Sequence, residues 1–238
     1  MKAVEARELV KTFGDFRAVN GATFSVEEGE VFGLIGPNGA GKTTIMRMLS
    51  TLLQVTSGSA SIFGKDVSTE AGEIRKIISY LPEEAGAYKN LTGRRYLEFI
   101  ARFFCKGDDV NKMVDDGIAL SNLSERIDDK VETYSKGMTR RLLVSRALMF
   151  KPQLAILDEL TSGLDVISAQ HVRKTIRETA QNGTTIIVSS HNMLEVELIC
   201  DRIALINGGR VVELGTPEEL KDKYSANNIE EVFVRAVA

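Results

Sequence analysis

Between Val31 and Thr44 the chain reads VFGLIGPNGAGKTT, and the spacing of its glycines and its lysine suits the capture of a phosphate chain. Gly36, Gly39 and Gly41 permit backbone conformations that a side chain forbids. The turn from Gly36 through Pro37, Asn38, Gly39 and Ala40 to Gly41 can therefore point successive amides at one anion. Lys42 adds a full positive charge, and Thr43 places a hydroxyl where a magnesium ion bridging two phosphates takes a ligand. A helix expected from Thr43 and Thr44 to about Leu52 aims its positive dipole end at the same point. The G-x-x-x-x-G-K-[ST] pattern arises by chance in on the order of 1 % of chains of this size, because glycine is roughly 7 % of residues. These residues imply nucleotide binding.

Two further groups carry chemistry. The apolar run Leu154–Leu157 ends abruptly in Asp158 and Glu159, and carboxylates beside a buried strand are costly unless they meet a cation. Beside a phosphate loop that cation is magnesium, so Asp158 reads as the metal-side acid and Glu159 as the group that orients or deprotonates water. The run from Thr184 to Ser190 is β-branched and apolar, and its C-terminal end delivers His191. In an open α/β sheet ligands lie beyond the carboxyl ends of the strands, which puts His191 on the same edge as Lys42, Asp158 and Glu159. Phe13 precedes the phosphate loop in an expected turn, placed either to stack on a purine or to pack. His171 and the pair Arg140–Arg141 read as surface, as does Arg94–Arg95.

The elements that hold these residues follow from periodicity. Ala3–Val10 and Ala18–Val26 alternate apolar with polar residues, giving antiparallel strands across a turn at 13–16. From Leu91 to Phe150 the period becomes helical, which marks an insert of roughly 60 residues. Val166–Gln181 reads as an amphipathic helix, the stretches around Asn207–Gly209 as a hairpin, and Thr216–Leu220 as a helix start with proline in its first turn. With 238 residues, 43% of them hydrophobic, one full core is possible. A net charge of −3 gives no pull toward nucleic acid, and no such partner is expected. No apolar run or leader suggests a membrane span or export, so the chain is expected to be cytoplasmic.

The order of phosphate loop, helical insert, Tyr134–Met138 (YSKGM), Asp158–Glu159, Ser162–Asp165 (SGLD) and His191 resembles the nucleotide-binding subunit of ABC transporters over nearly the whole chain. The resemblance implies an α/β fold: a P-loop NTPase core with a mainly parallel sheet (residues 1–83 and 151–238), an N-terminal antiparallel β flap, and an inserted α-helical subdomain (about 84–150). It implies ATP and Mg2+ as ligands, and two such domains paired head to tail as a homodimer or heterodimer. Ser135 and Gly137 of one chain then face the γ-phosphate held by the other. By the same resemblance His191 corresponds to a switch histidine, Ser162 and Asp165 to the dimer-contact loop, and Phe13 to the aromatic that stacks on adenine. A separate transmembrane permease is implied, holding the subunit on the inner face of the cell membrane.

Three positions depart from the family pattern. Lys136 replaces the first glycine of Leu-Ser-Gly-Gly-Gln, with Tyr134 and Met138 flanking it. Glu83 stands where a glutamine senses magnesium, and Leu160 where a proline follows the acid. The first two recur in the branch serving ABC-2-type exporters. Glu83 is read as a metal or water ligand, and the segment from Glu83 to Tyr88 as the docking surface for the membrane subunit. The rival class is a soluble ABC ATPase acting on ribosomes, iron–sulfur assembly or DNA. Ribosome-acting members carry two such domains in one chain and DNA-acting ones a long coiled coil after the phosphate loop, and this chain shows neither.

Overall fold

A computed structural model describes all residues, 1–238. The chain opens with two long antiparallel strands, β1 (Lys2–Phe13) and β2 (Phe16–Glu27), and continues into β3 (Val31–Ile35) and α1 (Lys42–Leu49). Then come β4 (Ser57–Ile62), β5 (Lys65–Asp66), α2 (Ala71–Ile77) and β6 (Ile78–Leu81). The helical stretch comprises α3 (Gly93–Ala101), α4 (Asp108–Ser121) and α5 (Lys136–Leu148). The chain returns through β7 (Leu154–Leu157), α6 (Val166–Gln181), β8 (Thr185–Ser190), the short α7 (Met193–Glu197), β9 (Arg202–Asn207), β10 (Arg210–Gly215), α8 (Pro217–Tyr224) and α9 (Ile229–Val237).

Two sheets result. The first has the order β2-β1-β4-β5 and is antiparallel. The second has the order β10-β9-β3-β8-β7-β6, parallel from β9 to β6 with the antiparallel β10 at one edge. In this sheet alternate residues enter opposite cores, because successive side chains of a strand point to opposite faces. Val31, Leu157, Val188 and Leu205 pack with α5 and α6, whereas Phe32, Ile156, Ile187 and Ile206 pack with α1 and the antiparallel sheet. Both faces are covered, as the near-continuous apolar composition of the strands requires.

The expected flap, parallel core and helical insert are all present. The first strands run longer than the periodicity suggested, since a bulge at Glu8 (φ 48°) interrupts their alternation without ending the pairing. Phe13 accordingly closes β1 instead of lying in the turn, which is reduced to Gly14 and Asp15. Helix α1 stops at Leu49, not Leu52. Ser50 caps it and Thr51 takes φ 58°, so Leu52 is left exposed. Helix α8 starts at the expected proline with a full capping box, Thr216 with Glu219.

Candidate functional site

Strand β3 is buried along its whole length and delivers the chain into a turn that only glycine can make. A Cβ on Gly36 would collide with the carbonyl of Ile206, and one on Gly41, at φ 106°, would lie 2.6 Å from the carbonyl of Ala18. The turn is braced from the β9–β10 hairpin, where Gly209 N donates to Ala40 O at 3.0 Å. Helix α1 then begins at Lys42 with no capping side chain and no acidic residue in its first turn. Its first amides have no partner within the helix, and an anion is the natural one.

Lys42 is 5% exposed, and its ammonium donates to Gly36 O at 2.6 Å and Pro37 O at 3.1 Å. Glu159 Oε1 stands 3.6 Å away. Burial pushes the Lys42 pKa below its ordinary value, opposed by the charges of Glu159, Asp158 and Glu83. One cation is thus set among three acids, whose charges repel a bare polyphosphate and suit one that arrives with a divalent cation.

Strand β7 ends at Leu157, and the next two residues are held by their neighbours. Asp158 is completely buried; its Oδ1 accepts from the Ser189 hydroxyl on β8, and its Oδ2 has no partner. A buried carboxylate oxygen without a partner is costly, and a divalent cation satisfies it. Glu159, 6% exposed, takes the left-handed backbone conformation (φ 47°), and its N–H donates to Ser189 Oγ at 3.0 Å. Its Oε2 lies 2.7 Å from His191 Nδ1 at the end of β8. Since β3, β8 and β7 are parallel neighbours, Lys42, Asp158, Glu159 and His191 meet at one sheet edge, as the sequence implied.

The remaining expected site residues fall in three places: a cleft, the region where α5 meets α6, and the end of β1. Glu83, Lys136, Glu159 and Ser162 line one cleft of about 440 Å³ beside this edge. Ser135 caps α5, its Oγ accepting from Met138 N at 3.2 Å, and stands exposed. Gly137 is buried where α5 meets α6, and a Cβ there would lie 2.7 Å from that of Ser168. Asp165 caps α6 through Ser168 N (2.9 Å) and Ser168 Oγ (2.7 Å), hydrogen bonds that hold its carboxyl below the usual range. Phe13 is half exposed at the end of β1, with Lys11 Nζ 5.1 Å from the ring centroid. A larger cleft of about 740 Å³, around His171 between α4 and α6, contains none of these residues.

Two expectations are corrected. Arg140 is not on a solvated face: it is buried, 8% exposed, on the inner side of α5. Its guanidinium donates to Leu160 O, Pro82 O, Glu83 O, Asp158 O and Glu159 O at 2.5–3.4 Å. Nor is His171 simply surface, because its Nδ1 lies 3.2 Å from Arg141 Nη1 in a half-buried pair. Ser189, which holds both acids, carried no sequence signal of its own beyond its place two residues before His191.

The sequence profile of the family described as "ABC transporter" matches residues 19–162, more than half of the chain. The linearmycin resistance ATP-binding protein LnrL of Bacillus subtilis is 35% identical over 98% of this chain and 76% of its own length. The daunorubicin/doxorubicin resistance ATP-binding protein DrrA of Streptomyces peucetius is 37% identical over 95% of this chain and 69% of its own. A solved ATP-binding subunit of an ABC transporter superposes with a TM-score of 0.87 at 25% identity, covering 99% of this chain and 100% of that one. The chain therefore belongs to the ABC transporter family, as one of its ATP-binding, ATP-hydrolysing subunits.

Proposed function

We propose that this subunit powers an exporter and that its ATP lies along the edge just described. The observation that carries the reading is the convergence of Lys42, Asp158, Glu159 and His191 on an uncapped helix start. The triphosphate occupies the turn from Gly36 to Thr44 and exchanges the carbonyl partners of Lys42 Nζ for phosphate oxygens. Adenine stacks on Phe13. Thr43, the unpartnered Oδ2 of Asp158 and Glu83 are the groups that fit Mg2+, which when bound neutralises charge on the transferring phosphate. Glu159 orients the attacking water and takes its proton, while His191 fixes the glutamate's orientation. The water oxygen bonds to the γ-phosphorus as the bond to the bridging oxygen breaks, releasing ADP and phosphate.

A second copy, or a related chain, completes each site by bringing Ser135 and Gly137 to the γ-phosphate, with Ser162 and Asp165 in the contact between chains. Hydrolysis removes the group that both chains hold, so ATP closes the pair and turnover reopens it. Residues 84–150 act as one helical unit that leans on the core residues 1–83 and 151–238. No helix is long and apolar enough to cross a membrane; in this reading a separate permease supplies the membrane path and holds the subunit on its cytoplasmic side. The exporter reading rests on relatives whose names state drug resistance and, for the Nod factor export ATP-binding protein I of Rhizobium etli (34% identical), export.

The docking surface lies at Tyr88, which is 54% exposed and packs edge-on against Phe99, itself edge-on to the exposed Phe103. Affinity purification from detergent-solubilised membranes tests the whole. A multi-spanning membrane protein is expected to accompany the chain, and Tyr88→Ala is expected to lose it with ATPase activity intact. Recovery of the chain with ribosomes or soluble partners alone would establish the rival class.

A further inference from the structure

Arg140 makes contacts that the reaction described so far does not use. A guanidinium has five N–H donors, and here all five meet backbone carbonyls: Nε to Leu160 at 3.0 Å, Nη1 to Pro82 at 3.4 Å and Glu83 at 3.2 Å, Nη2 to Asp158 at 2.5 Å and Glu159 at 2.8 Å. None is a carboxylate. The acceptors are the carbonyls just beyond the ends of β6 and β7, where the sheet's own pairing stops. One side chain of α5 thus closes two strand ends at once.

The placement has two sides. Toward the core, the carbonyl of Glu159 is held by Arg140 while its N–H is held by Ser189, at 3.0 Å. Glu159 sits between them with φ 47°, a conformation that a non-glycine residue keeps only when its surroundings impose it. Toward the helix, Arg140 lies five residues along α5 from the capping Ser135, on one rigid element. Ser135 faces the nucleotide of the second chain in the reading given above, whereas Glu83 and Glu159 face the nucleotide of their own.

We propose that Arg140 is a positioning residue that couples the two nucleotide sites of the dimer: engagement of Ser135 by the partner's ATP moves α5, and Arg140 carries that movement to the backbone of Glu83 and Glu159. The inference rests on the head-to-tail reading. Because every acceptor is a carbonyl, the link transmits the position of the main chain and takes up none of the carboxylate oxygens. Lysine cannot replace it, since an ammonium is a point charge with three donors and spans no such fan of acceptors.

The test compares Arg140→Lys and Arg140→Gln with the wild-type full chain. ATP affinity of the single chain, read with a fluorescent ATP analogue, is expected to stay within about threefold, because no phosphate-facing group is altered. The kcat is expected to fall by roughly tenfold or more, and the Hill coefficient for ATP to fall toward 1, with arginine alone restoring both. An unchanged kcat and Hill coefficient in either variant overturns the proposal, as does a loss of affinity parallel to the loss of kcat, the mark of a merely structural role. Should both variants fail to fold, hydrogen exchange on the wild type decides. ATP is expected to protect the amides of residues 83–84, 158–160 and the first turns of α5 in concert, and independent protection of α5 overturns the link. If the wild type fails to dimerise with ATP at all, the head-to-tail reading fails, a result separate from those above.

Discussion

The two helix starts that the proposed dimer brings to nucleotide are built differently. Helix α1 opens on Gly41 with no capping side chain, and its first side chain, Lys42, is buried against Gly36, Pro37 and Glu159. Helix α5 opens on Ser135, which caps it, and the following Lys136 is exposed with its ammonium beside Gly163. Neither has an acid in its first turn, so both keep their positive end for an anion. The first is surrounded by its own chain, with Lys42 only 5% exposed. The second stands exposed, and in the proposed dimer the surface that completes it belongs to the partner chain.

The contrast breaks most sharply at Lys42. Lys42→Ala is expected to abolish hydrolysis while circular dichroism stays native; normal phosphate release from this variant would contradict the phosphate-loop assignment. Next comes Glu159→Gln, which leaves the cradle intact and is expected to slow turnover at least ~10²-fold. Size-exclusion chromatography with ATP should then show a lasting dimer, and near-normal turnover would remove Glu159 from its role.

Ser135→Ala sharpens the comparison from the other side. It removes a helix cap, for about 1 kcal/mol of stability, and the hydroxyl that the proposed dimer would present to the partner's phosphate. Turnover is expected to drop roughly tenfold, with ATP affinity of the single chain unchanged. Weakened binding to the single chain would place α5 in its own chain's site. The smallest effect is expected of Glu83→Gln, which should keep ATP affinity within a few-fold and shift the magnesium dependence of turnover, measured as phosphate release across a magnesium titration.

What the sequence made legible is local. The phosphate loop needs particular residue types at fixed spacing, and strands buried on both faces read as apolar runs, so β3, β7 and β8 and the residues at their ends could be placed before any coordinates. The helices of the insert were legible by period alone. Arg140 was not, because its acceptors are main-chain carbonyls 18–20 and 57–58 residues away, and no residue type marks a carbonyl. A charged pair in a helix is read as surface unless a partner acid is visible, and here there is none. The left-handed backbone at Glu159 was equally silent, since it is imposed by Arg140 and Ser189 and not by a glycine or asparagine. The end of α1 at Leu49 was missed for a related reason: the apolar pattern continues to Leu53, while the helix is stopped by Thr51 turning out of it.

The strand order carries a consequence for how the molecule is made. Strand β3, which leads into the phosphate loop, pairs with β8 through Val31 and Ile186 and with β9 through Phe32 and Arg202, and its first amide is held by Asp201 at 2.8 Å. On the ribosome, the loop therefore emerges long before either flanking strand exists, and the sheet closes only when the last third of the chain has been synthesised. Contacts of such sequence separation are slow to form and leave early segments exposed meanwhile. Nucleotide competence is thus a late event in the life of the chain, and a nascent chain arrested before β9 should carry the complete phosphate motif yet fail to retain ATP.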